Sequence, residues 1–132
     1  MSELQPLEKP VITHTQLVRY AGASGDFNPI HTVVPVAQQA GLGDCIAHGM
    51  LLMGFAGEAL TKWFPRKDIR SFHVRFSAIT RPGEKVTVYG KIIDEREQDG
   101  ERRHLGEVVI KNEQGELKLK GRFEAAVQER EV

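Results

Sequence analysis

A chain of 132 residues is one domain of common size, able to bury one real core but not two. Apolar residues at 40% against 27% charged fit an ordinary soluble globular protein. Lys plus Arg and Asp plus Glu number 18 each, so a net charge of zero removes any whole-chain electrostatic case for a nucleic-acid or anionic-membrane partner.

The first ten residues, Met1 to Pro10, are polar and lack the apolar stretch of a signal peptide. Val11-Ile12 reads as a short strand. Thr13, followed three residues later by Gln16, has the spacing of a capping box and predicts a helix to about Tyr20 or Ala21. Gly22 and Gly25 are expected to end it. Pro35 to Ala40 predicts a short helix stopped by Gly41 and Gly43. Ile46 to Trp63 predicts the main helix, apolar on more than one face and therefore buried. Its Gly49, Gly54 and Gly57 each cost about 1 kcal/mol relative to Ala in a helix interior, which predicts a close neighbour against this backbone. The same stretch is too short and too polar to span a membrane.

From Ile69 the period changes to two. Phe72, Val74, Phe76 and Ala78 alternate with His73, Arg75 and Ser77; Val86, Val88 and Ile92 alternate with Thr87 and Lys91. Leu105, Glu107 and Val109 follow. Leu117, Leu119, Phe123 and Ala125 then alternate with Lys118, Lys120, Arg122 and Glu124. Each run predicts a strand with one face buried. Pro82-Gly83, Asp99-Gly100 and Gln114-Gly115 supply the turns. A buried helix followed by four strands predicts an α+β domain, an antiparallel sheet wrapped round a central helix.

Between the first two helices runs Tyr-Ala-Gly-Ala-Ser-Gly-Asp-Phe-Asn-Pro-Ile-His, residues 20 to 31. Asp26 and His31 stand five positions apart, the wrong interval for one face of a regular helix. Pro29 drives Asn28 towards extended backbone. The chain must curl, and a curl can bring a carboxylate and an imidazole round one small molecule such as water. Such a pair moves protons near neutral pH. Taken singly, the same residues also fit a plain turn, with Asp26 bonded to a nearby backbone N–H and His31 without chemistry. A loop pair of this kind is expected to contribute little core burial.

Gly-Asp-x-Asn-Pro-Ile-His, set about twenty residues before Ile46-Ala47-His48-Gly49-Met50, resembles the signature of the MaoC-like, (R)-specific enoyl-thioester hydratase and 3-hydroxyacyl-thioester dehydratase family. Val74-Arg75-Phe76 and Arg81-Pro82-Gly83-Glu84 extend the resemblance over most of the chain. It implies a single hot-dog domain over residues 1–132. It also implies a hydro-lyase interconverting (3R)-hydroxyacyl and trans-2-enoyl thioesters of coenzyme A or acyl carrier protein. Acyl-thioester hydrolysis, or a non-catalytic acyl-binding subunit of a hot-dog heterodimer, are the rival readings. A homodimer or hot-dog heterodimer is implied as well, an arrangement that also covers an exposed sheet edge.

Hydration of a conjugated thioester needs a base for water, an acid for the α-carbon and donors for the enolate-like oxygen. By resemblance Asp26 and His31 form the proton-transfer pair, with the base and acid roles left open. Asn28 positions the loop by hydrogen bonding or serves as a plain turn residue. Gly49, near the start of the main helix where N–H groups lack partners, is the oxyanion donor or else a packing glycine. Some relatives carry a serine where this chain has Gly57. Phe27, Ile30, Met50 and Phe55 either line an acyl tunnel or fill core.

No metal and no redox cofactor is required, and no His, Cys and Asp spacing resembles a zinc site. His48, among apolar neighbours, reads as a packing histidine. Arg75, Arg81 and Lys85 either meet the phosphates of a coenzyme A or carrier-protein arm or are solvated strand and turn residues, and they are assigned no role. The lone Cys45, at the start of an apolar run, reads as a small hydrophobe. With no disulfide to form, a cytoplasmic location is expected.

Overall fold

The computed structural model describes residues 2–128. Two short strands, β1 (Ser2–Glu3) and β2 (Leu7–Glu8), precede α1 (His14–Ser24), a single 3₁₀ turn (Pro29–His31), α2 (Val34–Gln39) and α3 (Gly49–Trp63). A second 3₁₀ turn (Arg66–Asp68) leads into β3 (Ile69–Phe76), β4 (Val86–Gln98), β5 (Glu101–Asn112) and β6 (Leu117–Ala126). The strands form one six-stranded sheet in the order β1-β4-β5-β6-β3, with β2 also on β4, and every pairing is antiparallel. The sheet is open, and it curves round α3, which packs against β3, β4 and β5. This is the hot-dog arrangement.

Local chemistry explains the element ends. Thr13 Oγ1 accepts the Gln16 N–H at 3.1 Å and starts α1. The helix runs three residues beyond the predicted stop, with Gly22 inside it. Gly25, at φ 78°, closes it in the left-handed conformation, its N–H bonding Ala21 O at 2.9 Å. Asp99 and Gly100, at φ 53° and 77°, make the two-residue hairpin between β4 and β5, the geometry that favours Asp-Gly.

Three expectations change. Val11-Ile12 is not a strand; Ile12 instead exchanges bonds with the Gly83–Glu84 turn, while β1 and β2 cover the edge of β4. On β5 the buried face is Gly106, Val108 and Ile110, not Leu105, Glu107 and Val109. Apolar residues stand on both parities of this strand, so alternation alone left its phase ambiguous. Lys118 is buried rather than solvated, for reasons that reach the candidate site.

The core lies between α3 and the concave face of the sheet. Leu52, Phe55, Ala56, Ala59 and Leu60 of α3 meet Val86, Val88, Val108, Ile110, Leu119 and Phe123. Aromatic rings replace side chains that glycines omit. A Cβ on Gly106 would fall 2.0 Å from Phe123 Cζ, and one on Gly90 would fall 2.3 Å from Trp63 Cη2. The close approach predicted for α3 itself occurs at Gly49, where a Cβ would meet the Phe76 ring at 3.2 Å; nothing lies within 4 Å of the same position on Gly54. Among the described residues no helix is long and apolar enough to cross a membrane.

Candidate active site

The curl after α1 is built from side chains bonded to backbone two residues away. Ser24 Oγ accepts the Asp26 N–H at 3.1 Å, Asp26 Oδ1 accepts the Asn28 N–H at 3.2 Å, and Asn28 Oδ1 accepts the Ile30 N–H at 3.2 Å. These are the local bonds that Ser, Asp and Asn offer in competition with helix. Asn28 thus caps the 3₁₀ turn, with Pro29 at its first position. The turn swings His31 back over Asp26, leaving His31 Nε2 3.8 Å from Asp26 Oδ2.

Contacts from distant segments hold this geometry. His31 Nδ1 lies 2.7 Å from Ile46 O. A carbonyl only accepts, so Nδ1 carries a proton, and in the neutral ring the lone pair is then on Nε2, which faces Asp26. Ile46 N–H returns a bond to Ile30 O at 3.2 Å, and Ala47 N–H bonds Thr80 O at 2.7 Å. His31 is therefore a buried residue, 8% exposed, rather than a loop group with little burial, while Asp26 stays open to solvent.

His48 packs, as expected, but its packing partner is the site. It is 2% exposed, stacks on His31 with ring centroids 3.8 Å apart, and donates from Nε2 to Asp26 O at 3.0 Å. Tyr20 meets its ring edge-on at 4.8 Å. One imidazole thus fixes both the ring of His31 and the backbone of Asp26. No local pattern marks this role, because Asp26 and His48 are 22 residues apart.

A cavity of about 410 Å³ adjoins His31, walled by Ile46, Ala47, Leu52 and the Phe76–Thr80 segment. Gly49 lines it too, at the first turn of α3, where no side chain caps the helix. Such unpaired N–H groups, with the helix dipole behind them, favour an anionic oxygen. Of the residues suggested for an acyl tunnel, none lines this cavity: Phe27 and Met50 are exposed, Phe55 is buried core and Ile30 is half-buried.

The far wall depends on Lys118, which is 1% exposed. Its Nζ donates to Ile79 O at 2.7 Å, to Glu84 Oε1 at 2.8 Å and to Glu116. Burial by itself would raise the Glu84 carboxyl, but hydrogen bonds from Lys118, Asn112 and the Arg81 amide hold it below its ordinary range. Arg81 spends its guanidinium on Leu42 O, at 3.1 and 3.0 Å. Cys45 is buried, and its thiol is pushed up by burial first and by Asp44 second, which suits a core residue and not a nucleophile.

Asp26, His31 and His48 bring one potential ligand atom each within 4.8 Å. The two imidazoles stack only 20° from parallel, so their in-plane lone pairs run side by side instead of converging on one ion. His48 Nε2 is also engaged with Asp26 O. The donor set fits proton transfer better than metal binding.

Residues 3–114 match the model of the MaoC like domain. The chain belongs to this family. Among curated proteins it is 36% identical over 66 residues to enoyl-CoA hydratase 2, peroxisomal, of Arabidopsis thaliana, covering 48% of this chain and 21% of that protein. The chain spans between 4% and 21% of the length of the curated relatives it matches. Among solved structures, the (R)-hydratase from A. caviae involved in PHA biosynthesis superposes with a TM-score of 0.83 at 21% identity, covering 97% of both chains. One chain of the ChsH1-ChsH2 complex from Mycobacterium tuberculosis gives 0.80 at 22% identity, covering 96% of this chain and 96% of that one. Likeness at that identity establishes the hot-dog fold of this MaoC-like chain.

Proposed function

We propose that this MaoC-like chain is a hydro-lyase interconverting (3R)-hydroxyacyl thioesters and trans-2-enoyl thioesters, working as a single hot-dog domain. One observation carries the reading. His31 Nε2, freed by the bond from Nδ1 to Ile46 O, faces Asp26 Oδ2 at 3.8 Å beside a cavity that Gly49 also lines. A water at an ordinary hydrogen-bond distance of about 2.8 Å from both groups can bridge them from one side.

In hydration the water oxygen adds to the β-carbon while the Asp26–His31 pair takes its proton, and a proton is returned to the α-carbon. The pair acts as one coupled unit. The Gly49 N–H meets the thioester oxygen as enolate-like charge builds on it. Asn28 keeps Asp26 in place through the turn. Dehydration retraces the same steps.

The carrier is coenzyme A or acyl carrier protein. The name of the Arabidopsis relative supports the first. β3 has an edge without a strand partner among the described residues, and a second hot-dog subunit, like or unlike, fits it. A cytoplasmic location suits the free, buried Cys45.

The test is loss of enoyl-thioester absorbance on adding the protein to crotonyl-CoA, with free thiol followed in parallel. Hydration without thiol release is expected. Thiol release would establish hydrolysis instead. No turnover of coenzyme A or carrier-protein esters by folded protein, alone or with a second hot-dog subunit, would overturn the proposal.

A further inference from the structure

The outer face of the sheet, opposite α3, carries a cluster of basic side chains. His73 and Arg75 on β3 stand directly across from Arg122 and Lys120 on β6. All four side chains are exposed. Like charges directly opposed on one face weaken an antiparallel pair, and Arg75 and Lys120 make such a pair in a chain with zero net charge. Among the described residues neither Arg75 nor Arg122 has an ion-pair partner; Glu107 on β5 stands across from Arg122 in the register, with its Oε2 3.9 Å from Lys120 Nζ.

These residues line a groove of about 330 Å³ whose walls include no carboxylate. Ser77 lines this groove and also the cavity beside His31 and Gly49. The two spaces therefore share a wall residue at the end of β3, where Arg75 lines the groove and Phe76 the cavity. A thioester that enters the cavity past Ser77 leaves its carrier outside, on the groove side. Guanidinium groups pair with phosphate oxygens in two-point contacts, which makes arginines without carboxylate partners suited to that carrier.

We infer that the outer-face groove of His73, Arg75, Lys120 and Arg122 binds the phosphate groups of a coenzyme A thioester whose acyl end occupies the His31–Gly49 cavity. The acyl end of this assignment rests on the proposed activity; the phosphate site is tested apart from it. Adenosine 3′,5′-bisphosphate, which carries phosphates without a thioester, is the probe. It should bind the intact protein in a titration, bind more weakly as salt rises, and lose about tenfold in affinity in the double variant Arg75→Ser/Arg122→Ser. Removing opposed charges from a solvated face leaves the fold intact, which circular dichroism checks.

With crotonyl-CoA the double variant should show a KM raised about tenfold and an unchanged kcat, while the crotonyl ester of N-acetylcysteamine, which has no phosphate, keeps its KM. Absence of nucleotide binding, equal binding in the double variant, or the same KM change with both esters would overturn the assignment. A loss confined to the carrier-protein ester, with crotonyl-CoA unaffected, would overturn it too and assign the phosphate to a protein-borne arm. Nucleotide binding that depends on the two arginines, without turnover of any thioester, would sustain the phosphate site and remove the activity.

Discussion

Replacing Lys118 by methionine tests whether the cavity wall is held by one buried ammonium. Methionine keeps an unbranched stem of similar length and removes every donor. Ile79 O then loses its 2.7 Å bond, and Glu84 loses a 2.8 Å ion pair while keeping Asn112 Nδ2 at 2.8 Å and the Arg81 N–H at 2.6 Å. Orphaning a buried carbonyl costs about 1–3 kcal/mol, and breaking a buried pair about 3–5 kcal/mol. Glu84 retains two other bonds, so the lower end, about 3 kcal/mol, is expected. Urea unfolding at pH 7 reads it as a lowered midpoint with an unchanged slope.

The pH dependence gives a second reading. Glu84 has a lowered folded-state value, so its contribution is present above its ordinary value of 4.5 and is lost as pH falls through the folded one. The gap between wild type and Lys118→Met should narrow on acidification below that range. Adding Glu84→Gln should recover part of the loss, because the uncompensated charge is gone. The Phe76–Thr80 wall should loosen as well, raising KM more than it lowers kcat. A destabilisation under about 1 kcal/mol at pH 7, or a gap equal at neutral and acid pH, would refute the reasoning.

Asp26→Asn keeps the acceptor for the Asn28 N–H and should cut turnover at least roughly 10²-fold with the fold unchanged, as should His31→Ala per folded molecule. The double variant should be about as slow as the worse single one, and additive losses would separate the two residues in the mechanism. His31→Ala also orphans Ile46 O, so thermal unfolding should show a cost of about 1–3 kcal/mol. Gly106→Ala forces a Cβ to within 2.0 Å of the Phe123 ring and should destabilise by about 1–3 kcal/mol in urea; a neutral effect would mean that the ring moves freely. Arg70 and then Arg103 hold the Glu101 carboxyl down at about 2, from an ordinary 4.5. Its contribution is thus present above pH 4.5 and lost towards pH 2, and Glu101→Gln should flatten the acid limb of a stability–pH curve within that window.

Local chemistry was legible in the sequence wherever a residue acts on its own neighbourhood. Thr13 starts a helix three residues before Gln16, Asp99-Gly100 turns a hairpin, and Asp26, Asn28 and Pro29 curl the chain, because each effect spans two to four residues. The apolar period likewise separated α3 from the strands that follow. Tertiary structure alone decided the rest. β5 carries Leu105 and Val109 on one parity and Val108 and Ile110 on the other, so only α3 covering one face chose between them. Lys118 reads like its solvated neighbour Lys120 until Ile79 O and Glu84 close over it from the β3–β4 connection. The tautomer of His31 and the stacking of His48 depend on Ile46 and Asp26, 15 and 22 residues away along the chain. Contacts between segments so far apart leave no local pattern; they exist once the sheet has wrapped α3 and brought the start of that helix against the curl.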